Sequence, residues 1–254
     1  MAQPLTLVHR EESGIEIITL NRPDKRNALN IQMMKELCTH FEKANQDHSI
    51  RVIILKAEGP VFCAGLDLQE ATNASKEEES AQLVAHVLRA ILDCPAVTIA
   101  AVHGAAIGGG AGLMTAFDFV VAAEGVHISF PEVRRGLVPA HIAVILMRQL
   151  AGRHMRELLL LGEAVDAKRA LEIGLVTKVA PLAQLQNVAL QLAQQVLLGA
   201  PGAERKTKKL LDILYPTRLS EDFLKTMPFH IEARQSPEAK EGLQAFLTKR
   251  EPRW

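Results

Sequence analysis

The chain has 254 residues, 48% of them hydrophobic and 23% charged, and its 29 basic residues balance its 29 acidic ones. This composition is typical of a globular protein with a sizeable core, and the charge balance argues against nucleic acid or a membrane as a partner. The three cysteines are odd in number and lack metal-binding spacing, which favours a reducing compartment. Because residues 1–10 also lack the features of an export signal, we expect a cytoplasmic protein.

The first half of the chain alternates predicted strands and helices. Two apolar runs, Leu5–Val8 and Ile15–Leu20, flank four turn-forming residues and predict a hairpin. An N-cap at Asn30 predicts a helix, because apolar residues recur after it at helical spacing. The elements expected next are the buried strand Val52–Leu55, a helix from the capping-box pair Ser75 and Glu78 to Asp93, the strand Val97–Val102, a short helix at Leu113–Phe117 and the strand Phe119–Ala122. This alternation predicts an α/β fold with right-handed crossovers.

The region after Pro139 is predicted to be almost entirely helical. The expected helices are Ile142–Leu150, Met155–Leu161, Ala167–Ile173, Leu182–Leu198, Arg205–Leu214, Glu221–Arg234 and Pro237–Lys249, with Val176–Val179 extended. These helices carry more apolar surface than one layer over a sheet can bury, so we expect another subunit to cover part of it. We therefore predict an α/β core at 1–195 and a helical oligomerisation region at 196–254.

A glycine-rich turn follows the predicted strand Val97–Val102. Gly108–Gly110 would leave backbone N–H groups uncovered at the start of a helix, where an anion can bind. The dinucleotide-binding fingerprint fails because Leu113 stands where its third glycine is needed, and a P-loop lysine is missing. Glu132 follows as a single carboxylate in an otherwise apolar segment, so the two features together indicate chemistry on a carbonyl compound. Alternatively, the glycines only allow the strand and the helix to pack closely.

Two further loops have unusual compositions. Pro60–Leu68 is too apolar for an ordinary surface loop, which favours contact with the apolar arm of a ligand, and Gly65 would allow the backbone to approach it closely. Burial of this loop under the C-terminal helices is the alternative. Asn21–Leu29 places basic side chains beside a proline-stiffened turn, a pattern that usually belongs to a solvated loop.

Four motifs in this order resemble the enoyl-CoA hydratase/isomerase (crotonase) superfamily. They are Asn21–Pro23, Phe62–Leu68, Gly108–Gly110, and Pro131–Glu132 with Gly136–Pro139, and the segment Gly162–Leu175 is similar as well. The resemblance extends from about Leu5 to the C-terminus. It implies an α/β crotonase-like (ClpP/crotonase) fold of repeated β-β-α units in roughly perpendicular sheets, with a helical C-terminal trimerisation region. It also implies a homotrimer or a dimer of trimers that acts on an acyl-CoA.

The resemblance also implies roles for particular residues. Two backbone N–H groups of the family form an oxyanion hole for the thioester, and these positions are Leu66 and Gly109 here, with Glu132 as the general acid/base. The substrate- and CoA-binding positions are Lys25, Arg26, Ala28, Ala64, Asp67, Leu68, Gly112, Ala140, His141, Phe246 and Lys249. Of these, Phe246 and Lys249 resemble positions that reach the CoA of a neighbouring subunit. No metal is expected, and no cofactor apart from the CoA of the substrate.

The chain departs from the family pattern at Gly112, where hydratases typically carry the first of two glutamates. A single carboxylate suits a Δ3-to-Δ2 isomerisation, in which Glu132 would take a proton from C2 and return it at C4. Hydration stays open, because the Gly-Gly-Gly-Ala-Gly-Leu string resembles hydratases of methylglutaconyl-CoA and isohexenylglutaconyl-CoA. His141 could replace the missing group, or it is a helix cap or a surface residue. A catalytically impaired acyl-CoA-binding protein is the remaining alternative.

Overall fold

The structure, a computed structural model, describes residues 4–11, 13–71 and 77–254. Two predicted features therefore lie partly outside the described residues. These are the capping box, because of Ser75, and the hairpin turn, because of residue 12. None of the helices within the described ranges is both long and apolar enough to cross a membrane.

The strands are β1 (Thr6–Arg10), β2 (Ile15–Leu20), β3 (Val52–Ala57), β4 (Val97–Val102), β5 (Ala105–Ile107), β6 (Phe119–Ala123), β7 (His127–Ser129), β8 (Val165–Asp166) and β9 (Lys178–Ala180). The helices are α1 (Ile31–Gln46), α2 (Leu68–Ala71), α3 (Glu77–Leu92), α4 (Gly109–Thr115), α5 (Ala140–Gln149), α6 (Gly152–Leu161), α7 (Ala167–Glu172), α8 (Leu185–Leu197), α9 (Pro201–Ile213), α10 (Leu219–Gln235) and α11 (Pro237–Leu247). Short 3₁₀ turns cover Pro23–Lys25, Glu132–Arg135 and Leu182–Gln184.

The larger sheet has the strand order β1-β2-β3-β4-β6-β9, and only the β1–β2 pair is antiparallel. Successive residues of a strand point to opposite faces, so the apolar run Val52–Leu55 of β3 is covered on both sides. Ile53 and Leu55 join the core that includes α1 and α3, whereas Val52 and Ile54 join the core that includes α8. The predicted hairpin and this buried strand are confirmed.

A smaller sheet has the order β5-β7-β8, and the sequence analysis did not predict it. Its strands have three, three and two residues, too few for a periodic pattern to be recognised. This sheet matters for the site, because the N–H of Gly108 donates to the carbonyl of Ser129 at 2.8 Å. It therefore fixes the glycine-rich turn beside the segment that leads to Glu132.

The seven predicted C-terminal helices are present with ends shifted by a few residues, but the short helix predicted at Leu113–Phe117 begins earlier, at Gly109. Glycine disfavours helix, so the predicted helix left out Gly109 and Gly110. Close packing overrides that preference: a Cβ on Gly110 would lie 2.3 Å from the carbonyl oxygen of Cys63. The glycines thus allow α4 to contact the Pro60–Leu68 loop.

Candidate active site

One cavity of about 340 Å³ lies between the loops that follow β2 and β3, the start of α4, and helices α5, α10 and α11. Twelve of the fourteen predicted site residues line it: Lys25, Arg26, Ala28, Ala64, Leu66, Asp67, Leu68, Gly109, Glu132, Ala140, His141 and Phe246. Val84 of α3 also lines it. The two predicted residues outside the lining are Gly112 and Lys249.

The loop with Ala64–Leu68 is held by short β-bridges on both sides. Cys63 bridges to Ala106 of β5, and Leu66 bridges to Leu29. In the second bridge, the N–H of Leu29 donates to Gly65 at 2.8 Å and the N–H of Asp67 donates to Leu29 at 2.9 Å. Because successive N–H groups of an extended chain point in opposite directions, the N–H of Leu66 is directed away from Leu29.

The N–H groups of Leu66 and Gly109 are close neighbours. A Cβ built on Gly109 would lie 3.6 Å from the nitrogen of Leu66, and one built on Gly65 would lie 3.4 Å from the nitrogen of Gly109. Gly65 has φ +97°, and a side chain there would collide with the carbonyl of Ile107 at 2.7 Å, so glycine is required for this approach. Gly109 is the first residue of α4, so its N–H lies outside the hydrogen bonds of the helix.

Glu132 opens the 3₁₀ turn after β7 and faces the glycine-rich turn. Its Oε1 lies 3.1 Å from the position of a Cβ on Gly108, and its Oε2 is buried with no hydrogen-bond partner among the described residues. Burial raises the pKa of this carboxyl to about 7, against the opposing effect of the guanidinium of Arg135. A carboxyl with this pKa can both take and give a proton near neutral pH.

Gly112 does not line the cavity, contrary to the prediction. A Cβ on Gly112 would lie 2.8 Å from Cγ1 and 2.9 Å from Cδ1 of Ile142, whose side chain is buried and lines the cavity. Ile142 therefore occupies the space through which a longer side chain at position 112 would enter. Whether a side chain at position 112 could reach the cavity therefore depends on a neighbour in α5.

We expect Gly112→Ala to lower the free energy of unfolding. Overpacking costs about 1–3 kcal/mol, and the better helix propensity of alanine offsets about 1 kcal/mol of it. With Ile142→Ala as background, the collision is absent and the same change is expected to stabilise the protein. Denaturant unfolding of the four proteins measures this reversal, and equal effects of Gly112→Ala in both backgrounds would contradict the contact.

The two predicted C-terminal residues differ in their placement. Phe246 is 48% exposed and lines the cavity of its own chain, with the guanidinium of Arg135 at 4.2 Å from its ring centroid. Lys249 lies beyond the end of α11, exposed and outside the lining. Within its own chain, α11 packs onto the 3₁₀ turn that begins at Glu132. The reach of Phe246 and Lys249 toward a neighbouring subunit stays a prediction. A Cβ on Gly242 would lie 2.4 Å from the carbonyl carbon of Arg135.

The mouth of the cavity is formed by the loop after β2. Lys25 and Arg26 are exposed there, and Arg22 forms a 2.7 Å salt bridge with Asp67. Asn27 is fully buried with φ +52°, and its side-chain amide donates to the carbonyls of Glu58 and Val61 at 2.8 Å. The sequence analysis did not single out Asn27, although it fixes the loop that presents the two cationic side chains.

His141 is a buried residue, so the predictions of a helix cap and of a surface position are both wrong. It is 2% exposed in the second position of α5, and its ring stacks on Phe223 with centroids 5.2 Å apart. His230 of α10 lies 4.9 Å away, measured between ring centroids, and lines the same cavity with Arg234. The sequence analysis missed His230 and Arg234, because only the packing of α10 on α5 brings them to the site.

Comparison with known proteins gives the same family as the motifs. The sequence profile described as enoyl-CoA hydratase/isomerase matches residues 10–254. The chain belongs to the enoyl-CoA hydratase/isomerase family. The resemblance inferred from the motifs is thereby confirmed, and the chain is an acyl-CoA enzyme of this family.

Members of the family match this chain over almost its whole length. A putative enoyl-CoA hydratase from Thermus thermophilus is 33% identical over 98% of this chain and 100% of its own length. The enoyl-CoA hydratase domain-containing protein 3, mitochondrial, of Rattus norvegicus is 31% identical over 100% of this chain and 85% of its own. A crystal structure of an enoyl-CoA hydratase/isomerase from Pseudoalteromonas atlantica superposes with a TM-score of 0.89 at 31% identity, covering 98% and 99% of the two chains. The crotonase-like α/β fold is therefore confirmed.

Proposed function

We propose that this enzyme binds an enoyl-CoA, holds its thioester oxygen with the N–H groups of Leu66 and Gly109, and moves a proton at C2 with Glu132. The observation that carries the proposal is the convergence of two adjacent backbone amides and one buried carboxyl on a single cavity. Exposed Lys25 and Arg26 at the mouth suit the phosphates of CoA, which is the only cofactor-like group required.

The chemistry follows from these groups. Negative charge gathers on the thioester oxygen when a proton leaves C2 or when a nucleophile adds to C3. Each preorganised amide that donates to this oxygen contributes about 3–4 kcal/mol of transition-state stabilisation. Glu132 then needs to exchange a proton with the substrate in both directions, which its raised pKa allows.

Both hydration and Δ3-to-Δ2 isomerisation use this set of groups. Glycine at position 112 leaves out one glutamate of the two-glutamate arrangement, and a methylglutaconyl-CoA type of hydration is compatible with glycine there. We therefore propose hydratase/isomerase activity as a joint function. A catalytically impaired acyl-CoA-binding protein is the second candidate, and the absence of that glutamate is the observation that favours it.

We further propose that the chain assembles as a homotrimer or a dimer of trimers through the region at 196–254. Large apolar side chains of α10 and of the segment before α9 are exposed in the single chain, with Leu224 at 72% and Leu198 at 87%. Association would remove such surface from water. The cytoplasmic location stays a prediction from the sequence, and the name of the rat relative places that protein in mitochondria.

A panel of enoyl-CoA thioesters tests the proposed function. Hydration removes the absorbance of the conjugated thioester, isomerisation of a Δ3-enoyl-CoA creates it, and exchange of C2 protons of a saturated acyl-CoA in D2O reports on Glu132 and the amides alone. The exchange rate is expected to rise with pH and to level off above about 7, because only the ionised carboxylate of Glu132 takes the proton. Binding without any of the three reactions would favour the second candidate.

A further inference from the structure

Arg135 is a cationic side chain of the cavity that the proposed proton transfer does not use. It ends the 3₁₀ turn that begins with Glu132, and it is half-buried in the cavity lining. Across residues 4–11, 13–71 and 77–254, its guanidinium has no hydrogen-bond or ion-pair partner. The guanidinium nitrogens retain accessible surface, so a ligand in the cavity can reach them.

Two distances place this guanidinium beside the glycine-rich turn. From the position that a Cβ on Gly108 would take, Nη1 of Arg135 lies at 4.0 Å and Oε1 of Glu132 at 3.1 Å. Gly108 directly precedes Gly109, so backbone geometry puts Nη1 within about 8 Å of the Gly109 nitrogen. The cation therefore lies close enough to the proposed thioester site to meet the end of a short acyl chain.

The ring of Phe246 holds the guanidinium in place. The guanidinium carbon of Arg135 lies over this ring, 4.2 Å from its centroid. A cation–π contact uses the face of the ring and occupies none of the N–H donors of the arginine. These donors therefore stay free for a planar acceptor, and two parallel hydrogen bonds to a carboxylate are the arrangement that a guanidinium favours.

A half-buried charge without a partner is costly. Burial lowers the pKa of Arg135, and the nearby Glu132 opposes this effect, but an arginine stays protonated in proteins. Glu132 is not a permanent counter-ion, because its pKa of about 7 leaves it partly protonated near neutral pH. An anion that enters with the ligand would satisfy the guanidinium.

An acyl-CoA can supply such an anion from two places, the phosphates of CoA or a carboxylate on the acyl group. The long pantetheine arm separates the phosphates from the thioester, and exposed Lys25 and Arg26 at the mouth of the cavity suit them. Arg135 instead adjoins Gly108 together with Glu132, the group proposed to act at C2. Its position therefore favours a carboxylate of the acyl group.

We propose that Arg135 binds a carboxylate at the far end of the acyl chain, so that the preferred substrate is a CoA monothioester of a short unsaturated dicarboxylic acid. A chain of about five carbons can bridge the distance to the amides with a hydrogen bond at each end. Held at both ends, the chain would keep C2 and C3 in front of Glu132. This inference rests on the proposed function and names its substrate class.

Two saturated thioesters of equal chain length test the inference. Glutaryl-CoA and pentanoyl-CoA each have five acyl carbons, but only glutaryl-CoA ends in a carboxylate. Calorimetric titration of the wild type is expected to give glutaryl-CoA a dissociation constant about 10–100-fold lower, the usual effect of a hydrogen bond to a charged group. Arg135→Met is expected to bring the ratio of the two constants to about one or to reverse it, because the carboxylate then loses its partner. Arg135→Lys keeps the charge without the planar fork and is expected to keep part of the preference.

Arg134→Met is the matched control. Arg134 is exposed, lies outside the cavity lining and donates to the carbonyl of Leu161 at 2.7 Å, so its loss is expected to leave the wild-type ratio. Thermal unfolding of each variant identifies a folding defect, and Arg135→Gln repeats the test if Arg135→Met does not fold. Equal affinities in the wild type, or a neutral variant at position 135 that keeps the preference, would overturn the inference.

Exchange of the C2 protons of pentanoyl-CoA in D2O separates this inference from the proposed function. The exchange needs the two amides and Glu132, but it needs no carboxylate on the acyl chain. Exchange together with equal affinities for the two thioesters would overturn the inference alone. The absence of exchange with both thioesters would overturn the proposed function and the inference with it.

Discussion

Glu132→Gln is expected to lower turnover by about 10²–10⁴-fold, the usual contribution of a general acid–base group. Glutamine has nearly the same shape as glutamate but cannot take or give the proton at C2, so acyl-CoA binding is expected to change little. Steady-state kinetics with the preferred enoyl-CoA and calorimetric titration with a saturated acyl-CoA measure the two effects. Retained turnover would remove Glu132 from the mechanism.

Glu132→Gln is also expected to change the pH dependence of the free energy of unfolding. This change tests whether the carboxyl is buried. The folded pKa of Glu132 is about 7 and the ordinary value is 4.5, so the unfolded chain releases this proton first as the pH rises. The free energy of unfolding of the wild type therefore falls between these two pH values, by up to about 3 kcal/mol. Glu132→Gln lacks this loss, so it is expected to be more stable than the wild type at pH 8 and nearly equal to it at pH 4.5. A variant that is less stable at both pH values would contradict the buried position of the carboxyl.

Gly109→Pro is expected to reduce turnover by about 10²–10³-fold, because proline removes the N–H that we assign to the thioester oxygen. Proline is tolerated at the first position of a helix, where the N–H has no intrahelical acceptor. The loss is therefore expected in kcat/KM without unfolding of α4, which circular dichroism and thermal unfolding would verify.

Gly109→Ala is the matched control for the missing N–H. It adds a Cβ that would meet the side chain of Leu66 at 3.4 Å and the nitrogen of Leu66 at 3.6 Å, but it keeps the amide donor. If the alanine variant loses as much activity as the proline variant, crowding at Leu66 causes the loss and the assigned donor does not. A large difference between the two variants isolates the contribution of one backbone hydrogen.

The sequence predicted the parts of the site that depend on a local turn of the backbone. The glycines at 65 and 108–110 and the Pro131–Glu132 pair each specify a local turn, and Gly65, Gly108, Gly109 and Glu132 from these motifs line the cavity. The apolar strand β3 was predictable for a similar reason, since a continuous apolar run requires cover on both faces.

The parts that the sequence did not predict depend on contacts between distant segments. Gly112 was placed on the cavity because the family position is there, but the side chain of Ile142 decides whether that position is accessible. His230 is 89 residues from His141, and nothing in its own segment distinguishes it from the other histidines. The direction of α11 depends on close packing at Gly136 and Gly242, which no local pattern in the helix reveals.

That packing joins the C-terminal helix to the turn that carries the buried Glu132 carboxyl. A Cβ on Gly136 would lie 2.3 Å from the carbonyl carbon of Glu238, so α11 sits directly on the turn that begins with Glu132. If α11 detached, water would reach the carboxyl and its pKa would return toward that of an ordinary glutamate. Local melting of the C-terminal helix is therefore expected to make Glu132 a stronger acid without unfolding the rest of the chain.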